Sequence, residues 1–208
     1  QWTDNAVTLP TITRTGSTCG WSTSSTATTW TYNSGASVTP TGNMTLYGVC
    51  RNNITLSNSG ATTAGSTSAT VNYNATSLST ITLPQRKYTV SGFTLTTSGA
   101  NATVSSTTTL TSTATVTYTF NGWHKDSGTG TKVASNAVKP VLTASNGYTD
   151  ANGKWTSTSA QTLYAGWTAQ AKTLPTITKE GYTCGWTTTS TGATTITYAS
   201  GGSMTPSA

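Results

Sequence analysis

Residues 8–21 read TLPTITRTGSTCGW, and residues 173–186 read TLPTITKEGYTCGW. Leu9, Pro10, Cys19 and Trp21 return as Leu174, Pro175, Cys184 and Trp186, an offset of 165 residues. The same offset relates Trp2 to Trp167. After one inserted residue, TYNSGASVTP at 31–40 matches TYASGGSMTP at 197–206. A fixed period outranks local propensity, because each repeat is one structural unit that needs its neighbours to bury its apolar face. The chain therefore reads as one full repeat and the opening part of the next. Inside the long repeat LYGVC at 46–50 resembles LYAGW at 163–167, and TCGW resembles TFNGW at 119–123, so each repeat holds two related modules.

The expected organisation follows. Residues 1–7 end a preceding module and its linker, 8–52 form module A, 53–168 form a larger module B with insertions, and 169–208 form an incomplete second copy of module A. With no signal peptide at Gln1 and a stop in mid-pattern at Ala208, the chain reads as cut from a longer protein. The second copy lacks equivalents of Leu46, Tyr47 and Cys50. A two- or three-stranded remnant is marginal alone, so this copy is expected to need the preceding module or another molecule beside it.

Composition points to strands. Hydrophobic residues make up 33% of the chain and charged residues only 7%. The first figure suggests a thin core, while the second argues against disorder, which usually needs high net charge as well. Seven Trp and nine Tyr bring large buried areas, and the abundant Thr suits the solvated face of a sheet better than a helix. The net charge of +6 is spread from Arg14 to Lys179, with only Arg86 and Lys87 adjacent. Nucleic-acid tracking needs a clustered basic stripe, so nucleic acid is not expected as a partner. No apolar run is long enough for a membrane span.

Period-two alternation places Leu110, Ala114, Val116, Tyr118 and Phe120 on one face of a strand that is expected to end in a hairpin at Asn121-Gly122. Asn146-Gly147 and Asn152-Gly153 predict turns around Tyr148. Further strands are expected at Trp30–Tyr32, Val71–Tyr73, Tyr88–Leu95, Leu163–Trp167 and Ile196–Tyr198, with a short helical turn near Ser77–Ser79. The fold class is mainly β with a minor α+β character.

The composite of TLP, an aromatic-x-GW, a Ser/Thr/Gly-rich stretch and LYA-x-W resembles the Listeria-Bacteroides repeat, also called the internalin-type B repeat. The pattern stands here as TLPTITRTGSTCGW with LYGVC, as YTFNGW with LYAGW, and as the unfinished TLPTITKEGYTCGW. It is diffuse between Ile54 and Ser112. The resemblance implies tandem small β-grasp-like modules in an elongated array on bacterial surface proteins. On that motif Cys19 stands near the aromatic position before GW and Cys50 at the final Trp position, so each replaces an aromatic expected to face one core. A Cys19–Cys50 disulfide is the favoured pairing, with free buried thiols as the alternative. Cys184 is expected to be free or mispaired.

Trp21, Trp123, Trp167 and Trp186 recur with the motif and are expected in cores. Trp30 and Trp155 lack recurrent counterparts and are the candidate exposed ligand contacts. No catalytic residue is assigned: the acids are Asp4, Asp126, Asp150 and Glu180, and His124 is the single imidazole. In a chain this rich in Ser, His124 near Asp126 carries little information. Without a CxxC pair or a second His, no metal site is expected. Asp150-Ala-Asn152-Gly153 is read as a turn, since a calcium loop needs longer ligand spacing. No cofactor is expected. The triplets at Asn43, Asn53, Asn74 and Asn101 fit the glycosylation pattern, but such triplets arise by chance in a Thr-rich chain.

The resulting expectation is a non-enzymatic, extracellular segment of a bacterial cell-surface protein. It would act as an adhesin stalk or spacer with weak multivalent contacts to a host-cell or neighbouring-cell ligand or glycan. The rivals are a self-associating subunit of an extracellular filament and a glycan-binding module using Trp30 or Trp155. An enzyme is the remaining alternative.

Overall fold

A computed structural model of the chain describes residues 5–98, 103–188 and 195–206. The fold is mainly β. Fourteen strands and no helix are present among the described residues, and the stretch expected to form a helical turn is instead extended: Ser77 bridges Val141, and Leu78 N–H donates to Pro140 O at 2.9 Å. The backbone polar groups of residues 77–79 are satisfied by neighbouring chain, which removes the drive to close a local turn.

The chain divides into two compact units. Unit 1 takes residues 1–60, 64–84 and 121–166, and unit 2 takes 61–63, 85–120 and 167–208. Each is built from segments far apart in sequence. Unit 1 thus draws on both module A and module B.

In unit 1 the organiser is β5 (Tyr47–Ser57). Its even-numbered residues Asn52, Ile54 and Leu56 are buried while Asn53 and Thr55 face solvent, the alternation that makes a half-buried strand. One edge of β5 takes β2 (Ser17–Ser22) antiparallel and then β10 (Gln161–Ala169) in parallel through Gln161–Tyr164, and the other edge takes β6 (Ser68–Asn72). Asn52, fully buried, marks the changeover. It accepts from Ser17 Oγ at 3.1 Å and its amide donates to Ser159 O at 3.4 Å. Gly16, at φ +68°, lies so close to Ser159 and Ala160 that a Cβ there would meet Ala160 N at 2.4 Å. Only glycine permits that approach at positive φ. Ile54, Leu56, Val71, Leu78, Trp123, Val133, Trp155 and Leu163 fill the interior.

In unit 2, β7 (Lys87–Ser98) pairs antiparallel with β8 (Thr103–Lys125), and its other edge takes β12 (Thr183–Thr187), which in turn pairs with β13 (Tyr198–Ala199). β8 carries the expected alternation: Ala114, Val116, Tyr118 and Phe120 are buried and Thr115, Thr117 and Thr119 exposed. Leu110 lies outside the described side chains, and Asn101 outside the described residues. Val90, Ala114, Val116, Leu174, Trp186 and Met204 form the core of this unit, with Tyr88, Ile177 and Tyr198 against it.

The hairpin expected at Asn121-Gly122 does not form, because β8 continues through it to Lys125. Gly122 adopts φ +124°, beside a register shift between Trp123 and His124 opposite β9 (Lys132–Ala134). A type I′ turn needs both central residues near the left-handed helical region, and Asn121 is not there. Glycine serves a different need: a Cβ would meet Ala134 O at 2.4 Å. The Asn152-Gly153 turn does form. Asp150 N–H donates to Lys154 O at 3.0 Å, Gly153 N–H donates to Asp150 O at 3.1 Å, and Gly153 sits at φ +71°.

The two copies of the TLP motif build the same hairpin. In each the motif tryptophan donates its indole N–H to the proline carbonyl, Trp21 to Pro10 O at 2.8 Å and Trp186 to Pro175 O at 3.0 Å. Ile12 and Ile177 N–H donate to Ser34 and Ser200 Oγ, both at 2.8 Å, and each serine hydroxyl returns a bond to the isoleucine carbonyl. Leu9 N–H to Ala36 O and Leu174 N–H to Gly202 O are both 2.8 Å. The small ladders of β1 (Val7–Thr8) with β4 (Ser37–Val38) and of β11 (Lys172–Thr173) with β14 (Ser203–Met204) match, as do β2 with β3 (Tyr32–Asn33) and β12 with β13.

What differs is the strand beside the hairpin. In the first copy β5 places Cys50 opposite Cys19 and Gly48 opposite Trp21. In the second, β7 occupies the corresponding edge, with Thr94 opposite Cys184 and Gly92 opposite Trp186. The second hairpin has thus a strand beside it, drawn from upstream in the chain.

Candidate functional site

Cys19 and Cys50 face each other in register and are disulfide-bonded, whereas Cys184 is free and half-buried. The bond ties β2 to β5 at the centre of the first hairpin's ladder.

Of the four recurrent tryptophans, Trp123 and Trp186 are fully buried. Trp21 and Trp167 are half-buried, and Trp167 packs on Phe120 with ring centroids 5.5 Å apart. The exposure expected for Trp155 is overturned: its relative exposure is 0%. Its backbone is zipped on both sides, Asn74 N–H donating to Trp155 O at 2.9 Å and Trp155 N–H to Ala75 O at 2.8 Å, with a bridge to Thr149. The ring meets Tyr148 at 5.7 Å. Residues 132–157 contain few aliphatics, and a non-recurrent tryptophan closes that local core.

Trp30 is half-buried. Its indole lies on Gly20, where a Cβ would meet its Cγ at 2.2 Å, and its N–H donates to Asn33 Oδ1 at 3.0 Å. The Arg51 guanidinium stands 4.4 Å from its ring centroid. A second such pair lies nearby in unit 1, with Arg14 3.6 Å from the ring centroid of Tyr73. Arginine over an aromatic face is held by the ring quadrupole. Lack of recurrence singles out Trp30 in the sequence, whereas the two arginines carry no local motif that would mark them.

The imidazole and the turn carboxylate are each engaged in local hydrogen bonds. His124 is buried, with Nδ1 donating to Gly130 O at 2.7 Å and Nε2 2.9 Å from Asn121 Oδ1. Asp150 accepts from the backbone N–H groups of Lys154 at 2.9 Å and Asn152 at 2.8 Å, and the Lys154 bond leads in holding its carboxyl below the usual range. Burial, followed by the nearby charge of Asp126, pushes the Tyr148 hydroxyl up. Among the described residues no cluster of three or more His, Cys, Asp or Glu is placed to hold a metal, and no helix is long and apolar enough to cross a membrane.

The hairpin and disulfide edge define a small all-β repeat. Residues 3–49 match the family model described as the Listeria-Bacteroides repeat domain, so this segment is similar to that repeat. No curated protein and no solved structure matches the chain.

Proposed function

We propose that this chain is a non-enzymatic repeat segment of a bacterial cell-surface protein, a stalk or spacer built from β-grasp-like modules in an elongated extracellular array. The observation that carries this reading is the hairpin built twice, 165 residues apart, with the same proline–tryptophan and isoleucine–serine hydrogen bonds. A unit that reproduces itself at a fixed period suits quasi-linear growth, in which each repeat contacts only its neighbours. The Cys19–Cys50 bond suits an oxidising exterior. Engagement of His124 by Gly130 and Asn121 favours a packing role for the lone imidazole. Contacts to a host-cell or neighbouring-cell ligand would be weak singly and gain strength through the number of repeats.

One observation favours a second reading, an assembling filament. β12 pairs with β7 where the first hairpin pairs with β5, so the hairpin edge accepts a strand from outside its own module. A strand from another molecule would meet the same hydrogen-bonding groups. Light scattering over a wide concentration range separates the two. The stalk reading expects a constant monomer mass, and growth of mass with concentration would replace it with the filament.

A further inference from the structure

Unit 1 holds two adjoining open cavities of about 280 and 410 Å3. Arg51 and Lys139 line the first, Arg14 and Tyr73 the second. Thr28, Asn72 and Ala75 line both, and Asn72 Nδ2 donates to Thr28 O at 3.0 Å, which fixes the shared wall. Both arginines are half-buried, and the Nε–H of each is buried without an acceptor. The carboxylates of unit 1 among the described residues are Asp126 and Asp150. The second is held by its own turn, and the first acts on Tyr148. Two guanidinium groups are therefore seated on aromatic rings, with an orphaned donor on each. A buried donor left unpaired is costly, and a guanidinium offers a planar fork matched to a carboxylate or sulfate.

We propose that these cavities form a binding site for an acidic saccharide, with Arg51 and Arg14 pairing the anionic group or groups and the Thr and Asn walls meeting ring hydroxyls. Trp30 and Tyr73 are positioning residues, since each holds a guanidinium by its ring face. The lining is mixed rather than apolar, with Thr26, Thr70, Ser77 and Asn74 adding neutral donors and acceptors. That density of hydroxyl and amide groups suits a sugar, whereas a bare inorganic anion would use only the cations. A peptide adding to the sheet here would need free main-chain groups on β6. They are taken at Thr70, whose N–H donates to Ser79 Oγ at 2.9 Å and whose carbonyl accepts from Ser79 N–H at 2.8 Å. The site is independent of the stalk reading, since its occupancy does not depend on whether the chain is a monomeric spacer or a filament subunit.

The test is titration calorimetry on the full chain at low salt, with 3′-sialyllactose as a carboxylated probe, lactose 3′-sulfate as a sulfated probe without a carboxylate, and lactose and inorganic sulfate as controls. At least one acidic sugar is expected to bind about tenfold or more tightly than lactose, and which of the two does so identifies the anionic group. Arg14→Gln and Arg51→Gln are each expected to weaken that binding by about tenfold, while Lys154→Gln leaves it unchanged. Should a Gln variant lose its thermal transition, the Lys variant at the same position decides, because it keeps the charge without the fork and is expected to bind more weakly than the parent. Equal binding of lactose, unchanged binding in the arginine variants, or binding of sulfate alone as tightly as of the acidic sugar would each overturn the proposal.

Discussion

Replacing Trp186 by alanine is expected to destabilise unit 2 by about 3 to 5 kcal/mol, the range for removing a fully buried aromatic. Trp186 is 1% exposed and packs in one cluster with Val90, Val116, Leu174 and Met204. Its indole N–H also donates to Pro175 O at 3.0 Å, which would keep only the longer bond from Gly201 N–H at 3.4 Å. Trp21, its counterpart in the first copy, makes the same bond to Pro10 but is only half-buried, so Trp21→Ala should cost less. Denaturant unfolding, followed together with hydrogen exchange at the amides of Thr183–Thr187, reads both changes. Equal losses at the two positions would mean that the core described for unit 2 is wrong.

The second large effect is expected at the disulfide. Cys19 and Cys50 are separated by 31 residues, and closing a loop of that length removes enough unfolded-state entropy to stabilise by about 3 to 4 kcal/mol. The double variant Cys19→Ser with Cys50→Ser should lose that amount, and Cys184→Ser, which breaks no bond, should lose little. Non-reducing peptide mapping of the parent chain should recover Cys19 linked to Cys50. A Cys19–Cys184 link, or no difference between the double variant and the parent, would contradict the pairing.

The parts of this fold that were legible in the sequence are those encoded by recurrence and by alternation. The 165-residue offset identified the hairpin that the structure builds twice, and alternation from Ala114 to Phe120 marked the buried face of β8. The cysteine pair was legible because two motif positions each traded an aromatic for a thiol. Signals that depend on tertiary partners were not legible. Asn121-Gly122 has the composition of a tight turn, but its glycine is required by the approach of Ala134. Trp155 was read as exposed because nothing repeats it, yet an insertion needs its own core as much as a repeat does. The strand beside the second hairpin, β7, lies about ninety residues upstream of Cys184, beyond the reach of any local pattern. Its Gly92 stands opposite Trp186 as Gly48 stands opposite Trp21, a correspondence visible only once register is known. The arginines of the candidate site are likewise distant in sequence from their aromatic partners, Arg14 from Tyr73 and Arg51 from Trp30, and meet them only in the folded chain.

The central claim is that the chain is a segment of a quasi-linear array, and small-angle X-ray scattering tests it most directly on a series of proteins carrying increasing numbers of the 165-residue period. An array in which each repeat meets only its neighbours should lengthen by a constant increment per added period, with an unchanged cross-section and the mass of a monomer. A cross-section that grows with the number of periods, or a mass that exceeds the monomer, would contradict the account.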